Sequence, residues 1–530
     1  MNKKRDRIFL RTELDKILPK IENKTFEEVD KKNLFETQKD ILTTSSMDKG
    51  IFGKVIEYSV LDMELDQKSE PDIDIDYIGT SEAYRKVERT EIKTTGLVNK
   101  EKIGLVPKER VSVTAVSIGN IEKENFNHSA FWHKIEHLLW IFYEYKYKGR
   151  EKKLNERTGK YIYKNIPYSP YEQRHFVILN VGYQHMKDCP DDYAKLKHDW
   201  QVIHDYLVAV QDKSQEDKEK NWWPMLHTNT KAQLWYIDIA PRYPNKPRLA
   251  FKNSYVTTVY DTMFRNGKYE VLDTTYSSYD ELNAMLHEKA ELYAGKCLSQ
   301  IACDLGWEYS SAENKNLTEA IATAFFDNKI KKLNRIDMFC KAGIICKTIT
   351  LNSKYTNTEN GTKLFTIDLE EFSDPGISYE ESNYYEYFSS HRFLVIIFQE
   401  SDDRQPNDLH KFLGFKWISF DDLLYTDCKK FWDDTRDKII NNKVEEKYDL
   451  TKDGKIKVTP KTKVKQTYLN FLKSSENNIF LRGTGNDAKD KTWIFNGKAA
   501  DDSDIIHAYS QQVWIKGSYI TTKLLDIDYI

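Results

Sequence analysis

Two strings half a chain apart repeat each other. Phe251-Lys252-Asn253-Ser254-Tyr255-Val256-Thr257-Thr258 returns as Ile515-Lys516-Gly517-Ser518-Tyr519-Ile520-Thr521-Thr522, 264 residues later in a chain of 530. The apolar run Leu138-Leu139-Trp140-Ile141-Phe142 matches Leu394-Val395-Ile396-Ile397-Phe398, and Glu91-Ile92-Lys93-Thr94 matches Ile345-Cys346-Lys347-Thr348. A weaker pair is Gly53–Glu57 against Thr318–Ala322. All four pairs keep the same order at offsets between 254 and 265 residues, which points to one domain present twice. Each copy must then bury its own core, and 40% hydrophobic residues suffice for that.

The junction is expected near residues 265–285, where Asn266-Gly267 signals a turn and Tyr276-Ser277-Ser278-Tyr279-Asp280 ends in a helix cap. This sets the domains at 1–275 and 276–530. Asp280 to Cys303 carries apolar residues at helical spacing. The apolar runs at 138–142 and 394–398 read as buried strands. Strand-like and helix-like segments alternate in both halves, so the class is α/β.

Charge and cysteine content exclude several functions. Eighty Lys and Arg against 83 Asp and Glu leave a formal charge of −3, so any surface for a polyanion is local. Residues 146–164 hold eight basic residues against two acidic, and 452–465 hold six against one. Each reads as a phosphate-facing loop or as a solvated surface loop. Residues 366–388 hold seven acidic residues and no basic one, and are expected to face away from a duplex. Six cysteines without a CxxC pair argue against a zinc ribbon, a thioredoxin-type site or a disulfide framework. No long apolar run occurs, so a cytoplasmic location without membrane contact is expected. His133 and His137, four apart, are a weak metal pair or packing residues. Gly483-Thr484-Gly485 lacks the ending of a phosphate loop and reads as a turn.

The chemistry concentrates between Lys49 and Thr95. Glu70-Pro71-Asp72-Ile73-Asp74-Ile75-Asp76 precedes Val87-Glu88-Arg89-Thr90-Glu91-Ile92-Lys93-Thr94. On a strand, residues two apart share a face, so Glu91 and Lys93 project together while Ile92 packs behind. With Asp72 on the neighbouring strand, two carboxylates and one ammonium converge. Hard Mg²⁺ takes oxygen ligands, so Asp72 and Glu91 are the metal candidates and Lys93 the group beside the attacking water. Asp74 or Asp76 can replace Asp72, since all three share a face of an extended segment. Glu57, four residues past Gly53, is a further acid or a solvated helix residue.

These motifs resemble the Sau3AI-type restriction endonucleases, related to the mismatch-repair nickase MutH, with the PD-(D/E)xK nuclease core. The resemblance rests on Lys49-Gly50-Ile51-Phe52-Gly53 with Glu57, Ser69–Ile73, Glu91–Thr94, Lys108-Glu109-Arg110-Val111, Phe131-Trp132, Leu249–Tyr255, Phe339–Ile344 with Lys347, and Val513–Ile520. One departure is the 18 residues between Asp72 and Glu91, which a longer hairpin around Gly79–Glu82 would explain. The resemblance implies two tandem MutH-like domains, each a mixed sheet flanked by helices, with Asp72, Glu91, Lys93 and Glu57 catalytic in the first. It implies Mg²⁺-dependent hydrolysis of double-stranded DNA, with GATC as the family's usual target, and self-association on DNA as a possible partner mode. Ile345 and Ala322 stand where the first copy has Glu91 and Glu57, leaving Lys347 and at most Asp337. The second copy therefore resembles an inactive binding domain. The resemblance also maps DNA contacts to Arg242, Lys252, Ser254 and Tyr255, and to Arg482, Lys516, Ser518 and Tyr519.

Overall fold

Ile73 and Ile75 are buried while Asp74 and Asp76 are partly exposed, the two-residue alternation of a strand covered on one face. That strand belongs to the first of two units. The computed structural model describes residues 7–44, 50–65, 70–100, 104–116, 123–155, 160–240, 243–309, 311, 316–356, 361–374, 377–400, 406–451, 453–458, 465–484 and 491–530. One unit comprises Met1–Lys148, Pro167–Leu282 and Arg335–Gly343, and the other Gly149–Ile166, Asn283–Asn334 and Ile344–Ile530.

The strands met first along the chain are β1 (Ile8–Leu10), β2 (Ile73–Asp76), β3 (Glu88–Lys100), β4 (Gly104–Pro107), β5 (Val111–Ala115) and β6 (His137–Glu144). After the hairpin β7 (Tyr147–Asn155) and β8 (Lys160–Pro167) come β9 (Ile178–His185), β10 (Ile237–Ile239) and β11 (Arg248–Phe251). The main sheet of the first unit has the order β1-β2-β3-β6-β9, with β4 also on β3. β3 and β6 are parallel, and β9 runs antiparallel to β6. His137 to Phe142 are buried without alternation, as expected of a central strand covered on both faces. The apolar cluster on one side includes Phe9, Phe26, Phe52, Ile73, Ile75, Ile92, Leu139 and Ile141. Each such side chain contributes about 1.5–3 kcal/mol through burial. A second sheet, β10-β11-β5, leads into the helix Asn253–Phe264.

The second unit repeats this plan. Its strands are β12 (Ile344–Leu351), β13 (Gly361–Thr366), β14 (Arg392–Gln399), β15 (Lys411–Ile418), β16 (Val444–Tyr448), β17 (Thr467–Leu469), β18 (Ile479–Thr484), β19 (Lys491–Lys498) and β20 (Ile505–Lys516). β12 is parallel to β14, and β15 antiparallel to β14, as β3, β6 and β9 are related in the first unit. β20 lies between β18 and β13, as β11 lies between β10 and β5. In the first unit Lys252 N–H donates to the Tyr236 carbonyl at the strand-to-helix corner, and in the second Lys516 N–H donates to that of Asn478, both at 2.8 Å. Ser129 caps the helix Ala130–Ile135 through Trp132 N–H, and Ser382 caps Asn383–Ser390 through Tyr385 N–H. The strand pairing corrects the repeat by one residue: Glu91 lies opposite Leu138 and Ile345 opposite Phe393, so Leu138 answers to Phe393 rather than Leu394.

Two local readings change. The helix expected over 280–303 is two, Tyr279–Tyr293 and Leu298–Asp304, because Gly295 takes a positive φ of 82° between them. Gly483 and Thr484 are in β18 rather than a turn. In the acidic stretch, buried Glu371 accepts from Asn383 and Tyr384 N–H and so caps the following helix. Among the described residues no helix is long and apolar enough to cross a membrane.

Candidate active site

The register of the hairpin β2–β3 builds the site. Ile73 pairs with Thr90, so Asp72, one residue before β2, reaches the backbone of β3 beyond Glu91. Its carboxylate accepts from Ile92 N–H at 2.7 Å. Glu91 is 4% exposed, and Lys93, on the same face, donates to Glu91 Oε1 at 2.7 Å. A second ammonium closes the group: Lys134, from the helix Ala130–Ile135, lies 3.0 Å from Glu91 Oε1 and 3.2 Å from Oε2. Burial and the neighbouring Glu91 push Asp72 up to about 6, against the Ile92 N–H and the charges of Lys93 and Lys134. Two carboxylates forced together, with oxygen lone pairs left after these hydrogen bonds, are a fit donor set for a hard divalent cation. The two ammonium groups offset their charge in the free protein.

The longer spacing between Asp72 and Glu91 is taken up by turns after β2, where Thr80 N–H donates to Tyr77, Ala83 to Thr80 and Arg85 to Glu82. Gly79 takes a φ of 81° there. Asp76 serves the first of these turns, accepting from Ile78 N–H at 3.0 Å, and Asp74 pairs with Arg89 in the ladder. Asp72 is coupled in charge to Glu91. Glu57 is on the π-helical turn Val55–Val60, its carboxylate near Gly53.

His137 packs in the interior, one of its two readings, and its ring partner is His185. The two rings stack, with centroids 3.8 Å apart and planes 19° from parallel. Glu88 Oε2 is 3.4 Å from His137 Nδ1 and 2.8 Å from His185 Nδ1, and the Tyr77 hydroxyl is within 3.4 Å of both Nε2 atoms. The three groups are close enough for a metal. Imidazole lone pairs lie in the ring planes, however, and two stacked planes do not meet at one ion. The Arg85 guanidinium, 3.3 Å from His185 Nδ1, adds positive charge there. Burial, with His185, Arg11 and Arg85 nearby, lowers His137 to about 2. The cluster is a hydrogen-bonded staple that fixes Tyr77 and Arg85, the two ends of the inserted turns, to β6 and β9.

The expected DNA contacts divide. Arg242 lies outside the described residues. Tyr255 is a correction: it is fully buried, and its hydroxyl donates to Asp192 at 3.1 Å and accepts from Gln184 at 2.9 Å, which removes it from any duplex. Lys252 turns its ammonium to the Leu234 carbonyl at 2.7 Å, and Ser254 donates to the Lys341 carbonyl at 2.9 Å. In the second unit Arg482 lies 4.3 Å over the Trp514 ring, Ser518 is exposed and Lys516 partly exposed. The Tyr519 hydroxyl donates to Asp422, which also takes the Lys523 ammonium at 2.6 Å.

The second unit's counterpart of the acidic centre has no carboxylate from these strands. Ile345 is opposite Phe393, and Ala322 is buried. Lys347 donates to the carbonyls of Leu364 at 2.8 Å and Lys363 at 3.2 Å, and burial, with Lys363 nearby, lowers it to about 8. Counting from the capping serines, Tyr387 stands where Lys134 does, and it also donates to the Leu364 carbonyl, at 3.2 Å. Asp337 is not at this position: it belongs to the first unit, 2.8 Å from the Lys341 ammonium.

Lys134 was not legible as a site residue, because its contact with Glu91 spans 43 positions with no motif to join them. Its one signal is the Phe131-Trp132 helix leading into β6.

Residues 63–180, which include Asp72, Glu91, Lys93 and Lys134, match the family model of the DNA mismatch repair enzyme MutH. The chain is also 23% identical over 444 residues to the type II restriction enzyme Sau3AI of Staphylococcus aureus, an alignment covering 79% of this chain and 83% of that one.

Proposed function

We propose that this chain, an enzyme related to MutH and similar to Sau3AI along most of its length, hydrolyses phosphodiester bonds of double-stranded DNA at a short specific site, with Mg²⁺ as cofactor and GATC as the target. The observation that carries the reading is the pair of partly buried Asp72 and buried Glu91, with two ammonium groups converging on Glu91. Asp72 and Glu91 would hold the cation, which supplies Lewis-acid polarisation of the scissile phosphate and of the attacking water. Lys93, as the ammonium, orients that water and offsets negative charge that develops on it. Lys134 balances the charge that grows on the phosphate oxygens. The Ile92 N–H, 2.7 Å from Asp72 Oδ2, fixes the carboxylate that would help hold the cation.

The second unit, with Ile345, Ala322 and Tyr387 in place of the acids and the second lysine, binds DNA without cutting it, and Arg482, Lys516 and Ser518 are its contact candidates. We place the enzyme in the cytoplasm, with two chains meeting on DNA when both strands are cut. Incubation of a plasmid with the protein and Mg²⁺ tests the reading. Linear product with fixed ends supports it, open circles as the end product favour a repair-type nickase, and retardation without cutting leaves a binding protein.

A further inference from the structure

The catalytic sheet has a second hydrogen-bonded construction beside the acidic centre, and part of it comes from the far half of the chain. In the ladder Glu91 lies opposite Leu138 and Leu138 opposite Gln184, while Lys93 lies opposite Trp140. Trp140 and Gln184 therefore stand on the face that carries Glu91 and Lys93, one and two strands away respectively. Trp140 Nε1–H donates to Gln184 Oε1 at 2.8 Å, and Gln184 Nε2–H donates to the Tyr255 hydroxyl at 2.9 Å. The Tyr255 hydroxyl donates to Asp192 Oδ2 at 3.1 Å. Asp192 in turn receives the Lys341 ammonium at 2.8 and 3.1 Å.

Trp140 and Tyr255 are fully buried, Gln184 is 8% exposed and Asp192 2% exposed. Lys341 is on the short helix Asp337–Ala342, inside the segment Arg335–Gly343 that belongs to the first unit although the stretch Asn283–Asn334 of the second precedes it in the chain. The segment is held there by its backbone as well. Glu270 N–H donates to Arg335, Asp337 N–H to Glu270, and the Ser254 hydroxyl to the Lys341 carbonyl.

We propose that Arg335–Gly343 completes the catalytic unit, and that Lys341 is a positioning residue that holds the β6–β9 side of the active-site face through Asp192, Tyr255 and Gln184. Without the ammonium, Asp192 is a buried carboxylate whose acceptor role toward Tyr255 brings no compensating charge. The groups facing it are Asp337 and Lys341 on their short helix, Cys189, Asp191 and Lys195 at the start of the helix Pro190–Ala209, and Tyr236 and Tyr255. Lys195 is committed to Asp191, so Lys341 is the cation within hydrogen-bond reach of Asp192 among the described residues. The nuclease is in this way tied to its own second half: the chain cannot be divided before residue 335 without removing the charge that seats Asp192.

The inference uses the proposed cleavage as one readout, and a second readout does not depend on it. In the full-length protein, Lys341→Met is compared with Lys341→Met/Asp192→Asn, by thermal unfolding from about pH 5 to about pH 8 and by cleavage of a plasmid with Mg²⁺. Lys341→Met is expected to lose stability, and the deficit to grow as pH rises. The stranded carboxyl has a folded pKa above its unfolded one, so its contribution to stability is present at low pH and lost as pH rises through that window. Cleavage is expected to fall by about 10²-fold, while DNA binding at a temperature where the variant is folded changes little. The Asp192→Asn change in the double variant keeps an acceptor for Tyr255 without the charge, and is expected to restore both stability and cleavage. A Lys341→Met protein with wild-type stability at every pH, or a deficit that Asp192→Asn does not reverse, overturns the proposal. If Lys341→Met does not fold, the double variant still decides, since restored folding supports the proposal and continued failure overturns it. A wild-type protein that does not cut DNA would remove the nuclease reading while the pH comparison still judges the pairing of Lys341 with Asp192.

Discussion

Lys93 and Lys347 occupy the same place in two copies of one fold, and their surroundings have diverged in kind. Lys93 has a carboxylate at 2.7 Å, shared with a second lysine and coupled to another, partly buried acid. Lys347 has two backbone carbonyls and, among the described residues, no carboxylate within ion-pair distance, and burial lowers it to about 8. The exchange of Glu91 for Ile345 and Lys134 for Tyr387 converts a group of opposed charges into a strut between two sheets. A lysine at a repeated position therefore carries no function by itself. The proposed division between chemistry and packing follows the carboxylate two residues before it.

The largest effect that would break this comparison is expected at Asp72. Asp72→Asn should lower cleavage by at least ~10³-fold, because the loss of a charged ligand removes several kcal/mol from the transition state. Asp74→Asn, whose residue sits in the ladder with Arg89, should cut within a few-fold of wild type. Reversal of that order in single-turnover rates would move the metal aspartate. Lys134→Met should follow, with a loss of about 10²-fold and unchanged specific binding. A wild-type rate for this variant would reduce Lys134 to a structural partner of Glu91.

A smaller effect sharpens the role of the second unit. If it binds a further copy of the target and favours the cleaving assembly, two-site plasmids should be cut about tenfold faster than one-site plasmids. An added short duplex should then stimulate the slower reaction. Rates are compared at one salt concentration, since phosphate-driven affinity varies steeply with it. Equal rates without stimulation would make the second unit a plain clamp.

Smallest is the effect of Lys347 on stability. Between about pH 8 and the ordinary lysine value of about 10.4, the unfolded chain holds a proton that the folded chain has released. Wild-type stability should therefore rise with pH across that window, by an amount on the order of 1–3 kcal/mol. Lys347→Met should flatten the slope in a denaturation series. An unchanged slope would mean that Lys347 keeps its proton.

How much of this was legible follows from the range of the interactions. The duplication and the strands at 138–142 and 394–398 are local patterns of hydrophobicity, and the pairing moved their equivalence by one residue. Glu91 and Lys93 were readable as neighbours because a strand places residues two apart on one face. Their partner Lys134 was not, since it arrives from a helix in another part of the chain. Tyr255 was misread for the same reason. Its assignment to DNA came from the resemblance alone, and the convergence of Gln184, Asp192 and Lys341 from three distant segments, which no local pattern shows, encloses it. The inserted turns between Asp72 and Glu91 were visible as extra length. Their fastening through Tyr77, His137 and His185 was not.

The most direct test of the division between an active and an inactive copy is a single-turnover cleavage assay of Glu91→Gln and Lys347→Met on one target duplex with Mg²⁺, with DNA binding followed in parallel. Glu91→Gln should bind the duplex and cut it at least ~10³-fold more slowly than wild type, and Lys347→Met should cut within about threefold of the wild-type rate. Wild-type cutting by Glu91→Gln, or a folded Lys347→Met as inactive as Glu91→Gln, would contradict it.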